Sequence, residues 1–197
     1  MRSRIWLISD LHLFHANIIR GGKIGIRPFG TLDEMHERII DGWNSVVKEK
    51  DKVYVLGDLT LNRLRKRWDK PLPAWWKDLE LLTVSLLGQK RLILGNHDHL
   101  DADRYAWLGF EKVLAYRELG GYILSHIPVH PEQFGRYKGN IHGHLHEAVV
   151  MDEWNEAQWP KLHTPDPRYL NVCVEQPHIN YVPMLLDEAM ARIEKGR

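Results

Sequence analysis

The chain has 197 residues, 44% of them hydrophobic and 27% charged, with a formal charge of +1 and a single cysteine, Cys173. This describes one globular domain with a real core; it excludes a global pull towards nucleic acid or membrane and any intrachain disulfide, and it fits a reducing compartment. The four-residue apolar run before Ser9 is too short for a signal-peptide core, and no later run approaches a membrane span, so one cytoplasmic domain over residues 1–197 is expected.

Taken in chain order, RIWLI is the first strand candidate, and it ends in SDLH, which carries Asp10 and His12. His15 and Asn17 follow, as phosphate contacts or as caps of the next segment, then Arg20 and Arg27, candidate phosphate contacts for which a solvated arginine is the preferred reading. In residues 31–49, Thr31 and Glu34 are spaced as a capping box, and Met35, Ile39, Ile40, Trp43, Val46 and Val47 recur at helical spacing. His36 rides this helix and is expected at the surface. KVYVL is a second strand, ending in GDL with Asp58.

Residues 62–78 interleave Lys and Arg with Trp68, Trp75 and Trp76. Such a strip can grip a nucleic-acid strand; a solvated helix face with tryptophans turned to the core or a dimer contact is the preferred reading. A second helix is expected in 74–87, where Trp75, Leu79, Leu82 and Leu86 align. RLIL is a third strand, ending in GNHDH at 95–99. Residues 111–124 read as a hairpin turning at Gly120-Gly121, and GYIL ends in SHIP with His126.

The segment NIHGHLHE, 140–147, then sets His142, His144 and His146 at alternate positions. Residues 152–168 read as a long surface loop, 169–175 and 180–186 as strands, and 187–196 as a short helix. βα units early and hairpins late predict an α/β sandwich rather than a purely parallel sheet.

Catalytic groups gather outside strand ends in open α/β sheets. The polar residues there are Asp10, His12, Asp58, Asn96, His97, Asp98, His126, His144 and His146. Oxygen and nitrogen donors without thiolate suit divalent ions such as Mn²⁺, Fe²⁺ or Zn²⁺. The set is large enough for two ions sharing a carboxylate, as two-metal hydrolytic centres require.

DLH at 10–12, GDL at 57–59, GNHD at 95–98, SH at 125–126 and GHLH at 143–146 resemble, in order, the motif blocks of the calcineurin-like metallophosphoesterases. HANIIR, RPF, GWNSVV and NVCVE are similar to a small bacterial and phage subgroup of that superfamily. The resemblance implies a four-layer sandwich of two mixed β-sheets flanked by helices. It implies that Asp10, His12 and His146 hold one ion, that Asn96, His126 and His144 hold the other, and that Asp58 bridges them. Mn²⁺ is the preferred ion, with Fe, Zn or Ni as alternatives. His97 would donate a proton or stabilise the transition state, and Asp98 would orient His97. Apart from the resemblance, His15, Asn17 and Arg20 are the candidate substrate contacts. His142 has no ligand role and would support its neighbours, with Gly143 giving the loop its backbone freedom.

The implied reaction is hydrolysis of a phosphate ester by a hydroxide bridging the two metals, with nucleotide-like phosphodiesters as expected substrates and nucleic acid a possible partner. The phosphoprotein phosphatases of the superfamily carry GDxxDRG and GNHE where this chain has GDLTLNR and GNHD, which argues against phosphoprotein substrates. A phosphomonoesterase, or a metal-binding interaction scaffold with a vestigial site, is the alternative. Oligomeric state stays open.

Overall fold

The structure is a computed structural model that describes residues 3–62, 72–152 and 164–196. Most of the basic part of segment 62–78 and of the expected loop 152–168 lies outside the described residues.

Two sheets organise the chain. The first runs β4-β3-β2-β1-β9, and the second runs β5-β6-β7-β8. In the first, β1 (Ile5–Ile8), β2 (Lys52–Val55), β3 (Gln89–Ile93) and β4 (Phe110–Leu114) are parallel, and β9 (Met184–Leu185) closes the edge antiparallel to β1. In the second, β5 (Arg117–Leu119) and β6 (Tyr122–Leu124) form an antiparallel hairpin, while β7 (Gly139–His142) and β8 (Tyr169–Asn171) continue parallel. With flanking helices this is the expected α/β sandwich of two mixed sheets.

β1, β2 and the end of β3 are covered on both faces, so their apolar residues run almost unbroken. Leu7, Ile8, Val53, Val55, Leu92 and Ile93 are fully buried, each stabilising the fold by about 1.5–3 kcal/mol of transfer free energy. Helix α1 (Leu32–Val46) starts as predicted, with Thr31 accepting from the Glu34 backbone and Glu34 reaching back to Thr31. Its Met35, Ile39 and Trp43 are buried, and the Trp43 indole donates to the Leu87 carbonyl beyond α2 (Ala74–Ser85) at 2.8 Å. Helix α4 (Leu186–Gly196) packs on β8, β9 and β1, and so touches both sheets.

Three readings need correction, and one short helix was not foreseen. Residues 111–124 are not one hairpin. β4 pairs with β3 in the first sheet, and the chain changes sheet at 115–116 before the true hairpin, whose Gly120 and Gly121 both have positive φ. Residues 102–107 form a short helix, α3, that had no predicted counterpart.

The strand expected over 169–175 stops at Asn171, whose side chain accepts the Cys173 N–H. Val172 then donates to His142 and Val174 to Ser9, so this stretch crosses from one sheet to the other. Likewise only Met184–Leu185 of 180–186 is strand, because Asn180 and Tyr181 adopt left-handed backbone and Pro183 offers no N–H.

Trp43 joins α1 to the end of α2 by both packing and a hydrogen bond. Trp43→Ala should therefore cost about 3–5 kcal/mol, read from urea unfolding; a loss below about 1 kcal/mol would contradict the packing described.

Candidate metal centre

The predicted donors converge. Asp10 and His12 follow β1, Asp58 follows β2, Asn96 and His97 follow β3, His126 follows β6, and His144 and His146 follow β7. The C-terminal ends of five strands from both sheets thus face one place. The loops there are unusual in backbone: Asp10, His12, Asp58, His144 and His146, five of the seven expected ligands, have φ between 47° and 70°. A left-handed residue that is not glycine costs about 1–2 kcal/mol, and such positions cluster where function over-determines them. Here the surrounding hydrogen bonds enforce them: Asp10 N donates to Gly57 O and His12 N to Asp58 O, each at 3.0 Å.

Asp10 is fully buried, and its two oxygens have different work. Oδ2 accepts from the Ser9 hydroxyl at 2.6 Å, the His144 N–H at 2.9 Å and the Cys173 thiol at 3.0 Å. Oδ1 has no hydrogen-bond partner, and it lies 3.7 Å from His12 Nε2 and 3.9 Å from His146 Nε2. Both nitrogens of the buried His12 are also without hydrogen-bond partners. An orphaned buried polar atom costs about 1–3 kcal/mol, and these orphans point at one another. Donor atoms of Asp10, His12 and His146 lie within 4.8 Å of each other, as a cation would require. The residues fit a divalent ion.

A second group, Asp10, Asp58 and His126, has donor atoms equally close. Asn96 Oδ1 lies 2.9 Å from His126 Nε2, and the His144 ring centroid is 5.1 Å from that of His126. Asp58 Oδ2 sits 3.6 Å from His12 Nε2 and 3.4 Å from His126 Nε2, between the imidazoles of the two groups. The His126 ring is oriented by its Nδ1, which donates to the Leu56 carbonyl at 2.8 Å.

Burial works to raise the Asp10 and Asp58 carboxyls. The neighbouring His12 and His126 imidazoles outweigh it for Asp10, and the hydrogen bond and charge of His126 outweigh it for Asp58, so both stay below the usual carboxylate range. Burial likewise works to lower His126, and Asp58 and Asp10 raise it instead.

His97 stands at the rim, its side chain 36% exposed, with Nε2 4.0 Å from Asp58 Oδ2 and its ring 5.7 Å from that of His12. Asp98 does not act as expected. Its carboxylate accepts from the backbone N–H of Asp58 and Gly95, each at 2.8 Å, and of Leu59 at 3.1 Å. It therefore joins the loops after β2 and β3 rather than holding the His97 ring. His15 is buried with its ring 5.4 Å from that of His12, and burial lowers its pKa to about 4. Asn17 and Arg20 are exposed on the same loop, outside both donor groups.

The histidine triplet separates. His144 and His146 both belong to the left-handed set, so the segment is no flat strand beyond His142. Gly143 is not the hinge: it lacks a positive φ. Its role is steric, because a Cβ there would collide with the Ser9 and Asp10 side chains. Gly95 does the same for the Asp58 carboxylate. His142 is fully buried at the end of β7, with Nδ1 2.8 Å from the Gly143 carbonyl; burial lowers its pKa to about 4, which keeps the ring neutral. His36, expected at the surface, is buried and accepts the Phe14 N–H at 3.1 Å.

Sequence reasoning missed the support behind the donors. Arg27, expected to be solvated, is only 1% exposed. Its guanidinium donates to the carbonyls of Asp10 and Leu11 and to Glu175 Oε1, and that same carboxylate oxygen lies 3.1 Å from His146 Nδ1. Burial works to lower the His146 pKa, but Glu175 raises it. Asn171 and Gln176 donate to the carbonyls of His146 and Ala148. The stretch 171–176 is a strap across the His144–His146 loop. Its signal was the NVCVE block, which carried a family likeness without an assigned chemistry.

A family model described as calcineurin-like phosphoesterase matches residues 3–183. An uncharacterised protein of Methanocaldococcus jannaschii is 37% identical over 98% of this chain and 93% of its own length. The gene 66 protein of Mycobacterium phage L5 is 29% identical over 76% of this chain and 80% of its own. A crystal structure of an Aquifex aeolicus protein of unknown function superposes with a TM-score of 0.63 at 24% identity, over 96% of this chain and 99% of that one.

Supporting carboxylates behind metal-binding histidines typically govern affinity about 10–100-fold. Glu175→Gln should weaken binding of a divalent ion at the Asp10, His12 and His146 group by about that factor in calorimetric titration with Mn²⁺; unchanged affinity would show that the Arg27–Glu175 pair does not support His146.

Proposed function

The chain belongs to the calcineurin-like phosphoesterase family, and from that premise we propose that its centre holds two divalent ions and hydrolyses nucleotide-type phosphodiesters. The observation that carries the two-ion reading is the single oxygen Asp58 Oδ2, set between His12 and His126, with the unpartnered Asp10 Oδ1 beside it. Asp10, His12 and His146 would hold one ion and Asn96, His126 and His144 the other, with Asp58 shared. The imidazole and carboxylate donors suit Mn²⁺, and equally Fe, Zn or Ni. When bound, the ion pair supplies positive charge against the phosphate and lowers the pKa of water.

The protein's own residues do the rest. Asp98 fixes the Asp58 loop through three backbone donors, and the His97 N–H holds Asp58 Oδ1 at 2.9 Å. The His97 side chain, reaching both solvent and the Asp58 carboxylate, is the group proposed to protonate the departing ester oxygen. Imidazole suits that task because it exchanges protons near neutral pH. His15 lines the same side of the centre, and Asn17 and Arg20 stand further out as candidate substrate contacts. The GDLTLNR and GNHD blocks depart from those of phosphoprotein phosphatases, which argues against phosphoprotein substrates.

With Mn²⁺ added, the protein should hydrolyse bis-p-nitrophenyl phosphate faster than p-nitrophenyl phosphate; absence of turnover with any divalent ion would reject the reading. His97→Ala should keep two ions per chain by elemental analysis while kcat falls about 10²–10⁴-fold. An unchanged kcat would remove His97 from the reaction.

A further inference from the structure

Most large apolar side chains left exposed on a folded protein are scattered singly and need no explanation. Here three of them, Leu94, Tyr116 and Ile127, line one cavity of about 620 Å³, with exposures of 38%, 57% and 52%. Asn96 and His126, both expected metal ligands, line that cavity too. An apolar hollow thus opens directly from the side of the centre that carries the second donor group. Its volume lies within the range of about 300–1,000 Å³ usual for small-molecule sites.

One polar rim is fixed in place. Arg136 donates to the Tyr137 hydroxyl at 3.0 Å and to Glu118 Oε2 at 3.5 Å, and its guanidinium lies 5.2 Å from the Tyr137 ring centroid. Tyr137 and Glu118 also line the cavity. Arg136 therefore occupies one face of Tyr137. Tyr116, in the link between β4 and β5 where the chain changes sheet, remains the more open aromatic surface. Apolar floor, open aromatic ring and polar rim are together the chemistry that takes a flat aromatic group, whose faces are apolar and whose edge is polar.

We propose that this cavity is a subsite for an aromatic substituent of the phosphate ester, an aryl ring or a nucleobase, with Tyr116 and Ile127 as its specificity-determining residues. The subsite rests on the phosphoesterase reading, because Asn96 and His126 are what join it to the centre. It makes the preference for aromatic esters a property of the link between β4 and β5 and the loop after β6, separate from the residues that hold metal.

The test uses phosphonates, whose carbon–phosphorus bond is not hydrolysed, titrated by calorimetry into the full chain loaded with Mn²⁺. Phenylphosphonate should bind about tenfold or more tighter than methylphosphonate. In the doubly substituted Tyr116→Ala, Ile127→Ala protein that gap should close, with methylphosphonate binding unchanged. Both residues are exposed, so the variant should keep its fold, checked by circular dichroism and by its uptake of two ions. Equal binding of the two phosphonates by the unaltered protein, or a gap that survives the double substitution, would overturn the subsite and leave the phosphoesterase reading standing. Failure of both phosphonates to bind would overturn the subsite, while turnover of bis-p-nitrophenyl phosphate decides the phosphoesterase reading separately.

Discussion

A carboxylate taken wholly out of water stays ionised only where donors and cations surround it, and Asp10 is in that position. One oxygen is saturated by Ser9, His144 and Cys173, which come from just past β1, the loop after β7 and the crossing stretch after β8. The other is left towards His12 and His146. The saturated oxygen ties the two sheets together; the free one gives the centre its negative charge. Fold and site share this residue, so the close packing around Ser9, Asp10 and Gly143 follows from chemistry as much as from burial.

The same division of labour recurs around it. Asp58 offers one oxygen to the His97 backbone and the other to the imidazoles. His126 fixes its ring through one nitrogen and presents the other. Glu175 accepts from Arg27 and meets His146, while Arg27 also grips the Asp10 and Leu11 carbonyls. Asp58, His126 and His146 are thus aimed by partners further out, and backbone hydrogen bonds between the donor loops hold their strained conformation in place. This is how several left-handed residues can be maintained side by side: the cost is spread over a network of hydrogen bonds that only the complete fold supplies.

Much of this was legible in the sequence because the donors sit at strand ends within short ordered blocks. The helix of residues 32–46 was equally legible, since its cap and its apolar spacing agree. What could not be read were long-range pairings and backbone conformation. Alternate spacing of His142, His144 and His146 suggested one face, whereas left-handed turns at the last two send them apart. Arg27 looked like a surface cation because its partners, Glu175 and the turn after β1, are distant in sequence. Asp98 seemed the natural partner of its neighbour His97, but its acceptor capacity is taken by three backbone N–H groups. Residues 111–124 read as one hairpin because nothing in their composition marks a change of sheet at 115–116.

We propose that the strand ends bring together two cation sites with Asp58 between them. Anomalous diffraction at the manganese edge, from crystals of the protein grown with Mn²⁺, tests it most directly. The account predicts two peaks, one among Asp10 Oδ1, His12 and His146 and one among Asn96, His126 and His144, with Asp58 Oδ2 within bonding distance of both. A single peak, or metal bound at Asp10 Oδ2 in place of its three hydrogen-bond donors, would contradict it.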